Sequence, residues 1–139
     1  MLFCTLSKVT PYDLAAEAAT TLRNLTGIPS FDVALVMGSG WVPAADAIGE
    51  TVAELAVTKL PGFSPPAVAG HAGTVRAVRT SAGLNALIFL GRTHLYEGRG
   101  VEPVVHGVRT AVAAGVRTVV LTNAAGGCAR RPRRSATPS

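Results

Sequence analysis

The segment Gly-Arg-Thr-His-Leu-Tyr-Glu-Gly at 91–98 places a permanent cation, an imidazole, a phenol and a carboxylate within eight residues. Arg92 offers a planar fork of donors suited to the oxygens of a phosphate. His94 stands one exposed strand-step further along. The apolar run Leu-Asn-Ala-Leu-Ile-Phe-Leu at 84–90 comes immediately before and reads as a buried strand. Loops that leave the carboxyl end of a strand are where open α/β sheets bind ligands. The chemistry expected of this segment is therefore the holding of an anion.

Three further loops carry glycine and small polar residues. Gly38-Ser39-Gly40 follows the apolar run at 33–37, and its glycines let backbone approach a ligand while the Ser39 hydroxyl donates to it. A dinucleotide fingerprint would need a third glycine where Pro43 stands, so that reading is weak. Gly70-His71-Ala72-Gly73 frames a histidine with glycines, and Thr122-Asn123-Ala124-Ala125-Gly126-Gly127 leaves amides open after a strand. Each loop alone also fits a plain turn, and a lone histidine is more often structural than functional. Taken together, the four loops are far more specific than any one of them and read as a single anion site.

The elements that must position these loops follow from the pattern. Thr10-Pro11-Tyr12-Asp13 reads as a helix start, and Leu14, Ala18, Leu22 and Leu25 recur at helical spacing until Gly27 and Pro29. Residues 33–37 predict a strand buried on both faces. Weaker strands are expected at 51–58 and 74–79, separated by the turn-rich Pro61-Gly62-Phe63-Ser64-Pro65-Pro66. Val101, Val104, Val105, Val108 and Val112 describe an apolar helical stripe with Pro103 in the first turn, Gly115 closes it, and 117–122 is another strand. The alternation predicts an α/β domain with a mixed, mostly parallel central sheet and flanking helices.

With 139 residues, 48% hydrophobic and 15% charged, the chain is sized for one domain with an aliphatic core. The net charge of +5 owes most to Arg130, Arg131, Arg133 and Arg134; without them nine basic residues face eight acidic ones. A nucleic-acid-binding reading thus rests on the tail alone, and neither nucleic acid nor membrane is expected as a partner. Cys4 and Cys128 show neither zinc-site nor disulfide-framework spacing. The N-terminal segment lacks the pattern of a secretory signal, and no run reaches the length of a membrane helix. A cytoplasmic protein is the expectation. His106 reads as a surface or packed histidine, and Trp41 as a packing residue rather than a stacking platform.

In order and spacing, the four loops resemble those of the trimeric purine nucleoside phosphorylases, over roughly residues 10–127. The forms Tyr-Glu-Gly and Asn-Ala-Ala-Gly-Gly are similar to the purine nucleoside branch rather than to the related methylthioadenosine phosphorylases. The resemblance implies a three-layer phosphorylase-like fold and the reaction of a purine nucleoside with phosphate to give purine and ribose 1-phosphate. It implies that Ser39, His71, Arg92, His94 and Ala124 hold phosphate. It further implies that Tyr96 contacts ribose, that Glu97 positions the anion network, and that Ala125 and Gly126 line the base pocket. His94, Tyr96 and Glu97 would be the catalytic group. No metal or organic cofactor is implied, inorganic phosphate being the co-substrate. The family forms homotrimers, and assembly of this chain is left open.

Family members continue well beyond the Asn-Ala-Ala-Gly-Gly loop, whereas here the composition changes abruptly at Cys128 to an Arg/Ala/Pro/Ser run. Residues 1–127 are accordingly expected to be the N-terminal part of a phosphorylase domain. Residues 128–139 are expected to be a disordered basic tail, as a shifted reading frame would produce. Such a form would contact phosphate with little or no turnover, because the groups that activate the purine as leaving group lie in the later half. The alternative is a non-catalytic module that binds an anion or a partner chain.

Overall fold

The computed structural model describes residues 9–38, 40–65 and 73–123. The expected basic tail at 128–139 and both cysteines lie outside them. The first helix, α1 (Pro11–Thr26), starts where the sequence predicts: the Thr10 hydroxyl accepts from the Asp13 amide at 3.1 Å, and the Asp13 carboxylate accepts from the Thr10 amide at 2.9 Å. Gly27, at φ 70°, ends it by donating its amide to Arg23 O at 2.9 Å.

Strands β1 (Val33–Met37), β2 (Gly49–Ala56), β3 (Thr74–Thr80), β4 (Asn85–Leu90) and β5 (Thr118–Leu121) form one sheet in the order β2-β3-β4-β1-β5. β1 pairs in parallel with both β4 and β5, while β3 is antiparallel to β2 and β4, so β3 alone runs against the rest. The mixed, mostly parallel sheet is as predicted. Helix α2 (Val42–Asp46) follows the 38–40 loop and was not anticipated; Pro43 in its first turn is the local signal for it. Helix α3 (Val101–Ala113) connects β4 to β5.

β4 is buried on both faces, as its continuous apolar run requires. Leu87 and Phe89 join Ala18 and Leu22 of α1, Ala34 and Val36 of β1, Val75 of β3 and Ala111 of α3 in the larger core cluster. Ala86, Ile88 and Leu90 join Met37, Val78 and Ala45 on the opposite face. There Arg76 reaches from β3 to Asp46 of α2 at 2.6 Å and also pairs with Glu54 of β2, pinning the short helix over the sheet. First the Glu54 carboxylate and then that of Asp46 raise the guanidinium pKa further.

Three expectations are corrected. The α3 valines do not form its buried face: His106, Thr110 and Ala111 do, while Val101 and Val112 are 58% exposed. Gly107 packs at ordinary contact distance against the Phe89 and Phe63 rings and His106 lies edge-on to Phe63, so this face rather than the valine stripe meets the core. Leu25 of α1 likewise lies outside, leaving Ala15, Ala18, Ala19 and Leu22 to face the core. His106 is packed, donating from Nε2 to Pro61 O at 2.9 Å with its ring edge-on to Phe63. Trp41 remains 44% exposed at the start of α2 rather than packing inward.

The cap of α1 is testable. Thr10→Ala should lower stability by about 1 kcal/mol, read as a drop in Tm. The Thr10 hydroxyl, followed by its amide, holds the Asp13 carboxyl below its ordinary pKa. A carboxyl depressed in the folded state stabilises above its unfolded pKa and loses that contribution as pH falls through the folded value. Melting curves across the acid range should therefore show the wild type losing more stability on acidification than Asp13→Asn.

Candidate functional site

Parallel pairing sets Met37 beside Leu90 and Val36 beside Leu121, so the chains leaving β1, β4 and β5 emerge at the same end of the sheet. Backbone bonds continue past the strands. The Gly91 amide donates to Met37 O at 3.0 Å, and the Thr122 amide to Val36 O at 3.0 Å. The Thr122 hydroxyl donates to the same Val36 carbonyl at 3.0 Å and accepts from the Gly38 amide at 3.2 Å. Residues 38, 91 and 122 are thereby laced into one rim, at the carboxyl ends where α/β sheets seat ligands.

Arg92 projects across this rim. Its Nη1 donates to the carbonyl oxygen of Thr122, and the guanidinium faces Gly38, where a Cβ would lie 3.8 Å from Nη2. A permanent cation with one arm tied to backbone thus lies beside a residue with no side chain. Arginine's several donors allow one nitrogen to be anchored while others face a ligand, which a lysine ammonium on a flexible stem does less well.

The turn that follows holds a second group. Residues Leu95–Glu97 make one tight turn in which the Glu97 amide donates to His94 O at 3.0 Å and the Glu97 carboxylate accepts from the His94 amide at 2.7 Å. The other Glu97 oxygen lies 3.8 Å from Arg99 Nε. His94 and Tyr96 stack with ring centroids 4.7 Å apart and planes 12° from parallel. Tyr96 is 83% exposed, so its hydroxyl is open to a ligand. Glu97 engages its own turn and Arg99, and is what fixes the backbone that carries the two stacked rings.

Of the residues expected at the site, Arg92, His94, Tyr96 and Glu97 are therefore described, the first on the rim and the others on the adjoining turn. Ser39, His71, Ala124, Ala125 and Gly126 lie outside the described residues. Their neighbours Gly38 and Thr122 are bonded to one another. Sequence reading overlooked the Thr122 hydroxyl, which carries no local signal because its partners are 84 and 86 residues away. The hold of Glu97 on His94 was readable as a capping pair at three-residue spacing. Among the described residues no group of His, Cys, Asp and Glu clusters as a metal ion would need.

The fold and this rim define an α/β protein whose described candidate residues gather at the carboxyl ends of parallel strands. No family model matches the chain. A purine nucleoside phosphorylase of Cellulomonas sp is 50% identical over 121 residues, 84% of this chain and 43% of that protein. Purine nucleoside phosphorylase 1 of Bacillus subtilis is 38% identical over 110 residues, 79% of this chain and 39% of that protein. Among solved structures, isoform 2 of the Schistosoma mansoni purine nucleoside phosphorylase, in complex with cytosine and ribose-1-phosphate, matches with a TM-score of 0.73 at 29% identity. That match covers 85% of this chain and 42% of the Schistosoma chain. By sequence and by fold the chain belongs to the purine nucleoside phosphorylase family, and it spans less than half the length of these relatives.

Gly38→Ala probes the open ground beside Arg92. The added methyl group meets the guanidinium at ordinary contact distance, so Tm should move by less than about 1 kcal/mol equivalent. Inorganic phosphate binding, measured by isothermal titration calorimetry, should nonetheless weaken several-fold.

Proposed function

We propose that this chain carries the phosphate-holding part of a purine nucleoside phosphorylase site. The observation that carries the reading is the Arg92 guanidinium, tied to Thr122 O and facing bare backbone at Gly38, at the shared end of three parallel strands. The family membership supports it, as do related Schistosoma structures bound to inosine and to hypoxanthine.

In the reaction a phosphate oxygen attacks the anomeric carbon of the nucleoside as its bond to the purine nitrogen breaks. The bonding electrons leave with the purine, which takes up a proton, and ribose 1-phosphate forms. Positive charge gathers on the sugar in the transition state, and a fixed phosphate beneath it stabilises that charge while serving as nucleophile. In this proposal Arg92 and His94 hold the phosphate with Ser39, His71 and the Ala124 amide. Tyr96 contacts ribose, Glu97 keeps the His94–Tyr96 turn in place, and Ala125 and Gly126 line the base pocket. No metal or organic cofactor takes part, and the setting is cytoplasmic. Among the described residues no helix is long and apolar enough to cross a membrane.

The test uses the 139-residue protein itself. Inorganic phosphate should bind, and Arg92→Ala should weaken it by roughly ten- to a hundredfold, as expected for one charge-assisted hydrogen-bonding group. Absence of phosphate binding by the wild type would refute the reading. A second reading is an anion-binding module without turnover. Phosphate-dependent release of hypoxanthine from inosine separates the two.

A further inference from the structure

We infer that Thr122 is a positioning residue of the anion site, acting through Arg92 rather than by touching the ligand. The inference rests on the phosphate-binding reading above and adds a residue to it. Thr122 spends all its polar groups on the rim. Its amide and hydroxyl both donate to Val36 O at 3.0 Å, its hydroxyl oxygen accepts from the Gly38 amide at 3.2 Å, and its carbonyl accepts from Arg92 Nη1. One side chain therefore fixes the first residue beyond β1 to the first residue beyond β5. The same residue's carbonyl sets where the guanidinium of the β4 loop points.

Each of these bonds has a consequence for the ligand. The Gly38 amide is consumed by Thr122 and is not a donor to the anion, so the start of the 38–40 loop is held in place rather than offered. Arg92 loses the freedom of a long exposed side chain, which lowers the entropy cost of presenting its remaining donors. If the hydroxyl is removed, the Gly38 amide is left without its partner and Thr122 is held to Val36 O only through its backbone amide. The anchor of Arg92 loosens, although no atom that meets phosphate has changed.

The experiment compares Thr122→Val, which keeps the shape and removes the hydroxyl, with Thr122→Ser, which keeps the hydroxyl. Both are titrated with inorganic phosphate by calorimetry, alone and in the Arg92→Ala background, and Tm is recorded for each. Thr122→Val should weaken phosphate binding about tenfold, the effect of one hydrogen bond, while Thr122→Ser stays within about twofold of wild type. In the Arg92→Ala background the valine substitution should have little further effect on binding, because the two residues act as one unit. Wild-type affinity in Thr122→Val, with only Tm lowered, would overturn the inference and leave the phosphate site standing. Full additivity with Arg92→Ala would also overturn it. Failure of the wild type to bind phosphate would instead refute the functional reading on which it rests. Should Thr122→Val not fold, Thr122→Cys against Thr122→Ser makes the same comparison, with weaker binding by the cysteine variant expected and equal binding overturning the inference.

Discussion

The Val36 carbonyl receives both the amide and the hydroxyl of Thr122, and this joint between β1 and β5 is the constraint on which the site depends. On the other side of β1, the Met37 carbonyl receives the Gly91 amide and holds the exit of β4. Parallel strands cannot be joined by tight turns, so the three exits belong to segments far apart in the chain. Their meeting at one end of the sheet is a consequence of register. A slip of one residue at either pairing would invert the side chains of a strand and misalign its exit loop.

Register is in turn set by burial. Ala34 and Val36 face α1 and α3 together with Leu87 and Phe89, while Met37, Ile88 and Leu90 face α2. At 0–8% exposure these side chains are packed on both faces of the sheet, so a slipped pairing of β1 and β4 would have to refill both core clusters with side chains of different shape. The edge is different. β5 has Val120 and Leu121 exposed, and among the described residues no strand pairs with its outer side. Its place is held by the bonds to β1 more than by its own burial.

The site divides into two supports of different origin. The His94–Glu97 turn is local: a carboxylate three residues ahead grips an amide, and the stacked rings stand on that grip. The Arg92 fork is not local, because its anchor is a carbonyl thirty residues on. An exposed arginine without such an anchor samples many rotamers, and ordering it on binding costs free energy. The bond to Thr122 meets part of that cost during folding, which is what preorganisation of a side chain means in physical terms.

Much of this was open to reading from the residues in order. The start and stop of α1, the runs that became β1, β3 and β4, and the place of Arg92 and His94 in the segment leaving β4 all follow from short-range chemistry: caps, alternation and apolar runs. The α3 valines show where that reasoning stops, because the helix turned the face bearing His106, Thr110 and Ala111 inward, and periodicity cannot see the partner's shape. Thr122 shows the same limit at the site. By itself the sequence determined which groups could bind an anion, since that depends on side-chain type and near neighbours. Only the tertiary structure decided which residue holds them in place, because the bonds among Val36, Gly38, Arg92 and Thr122 exist only once strands distant in the chain lie side by side.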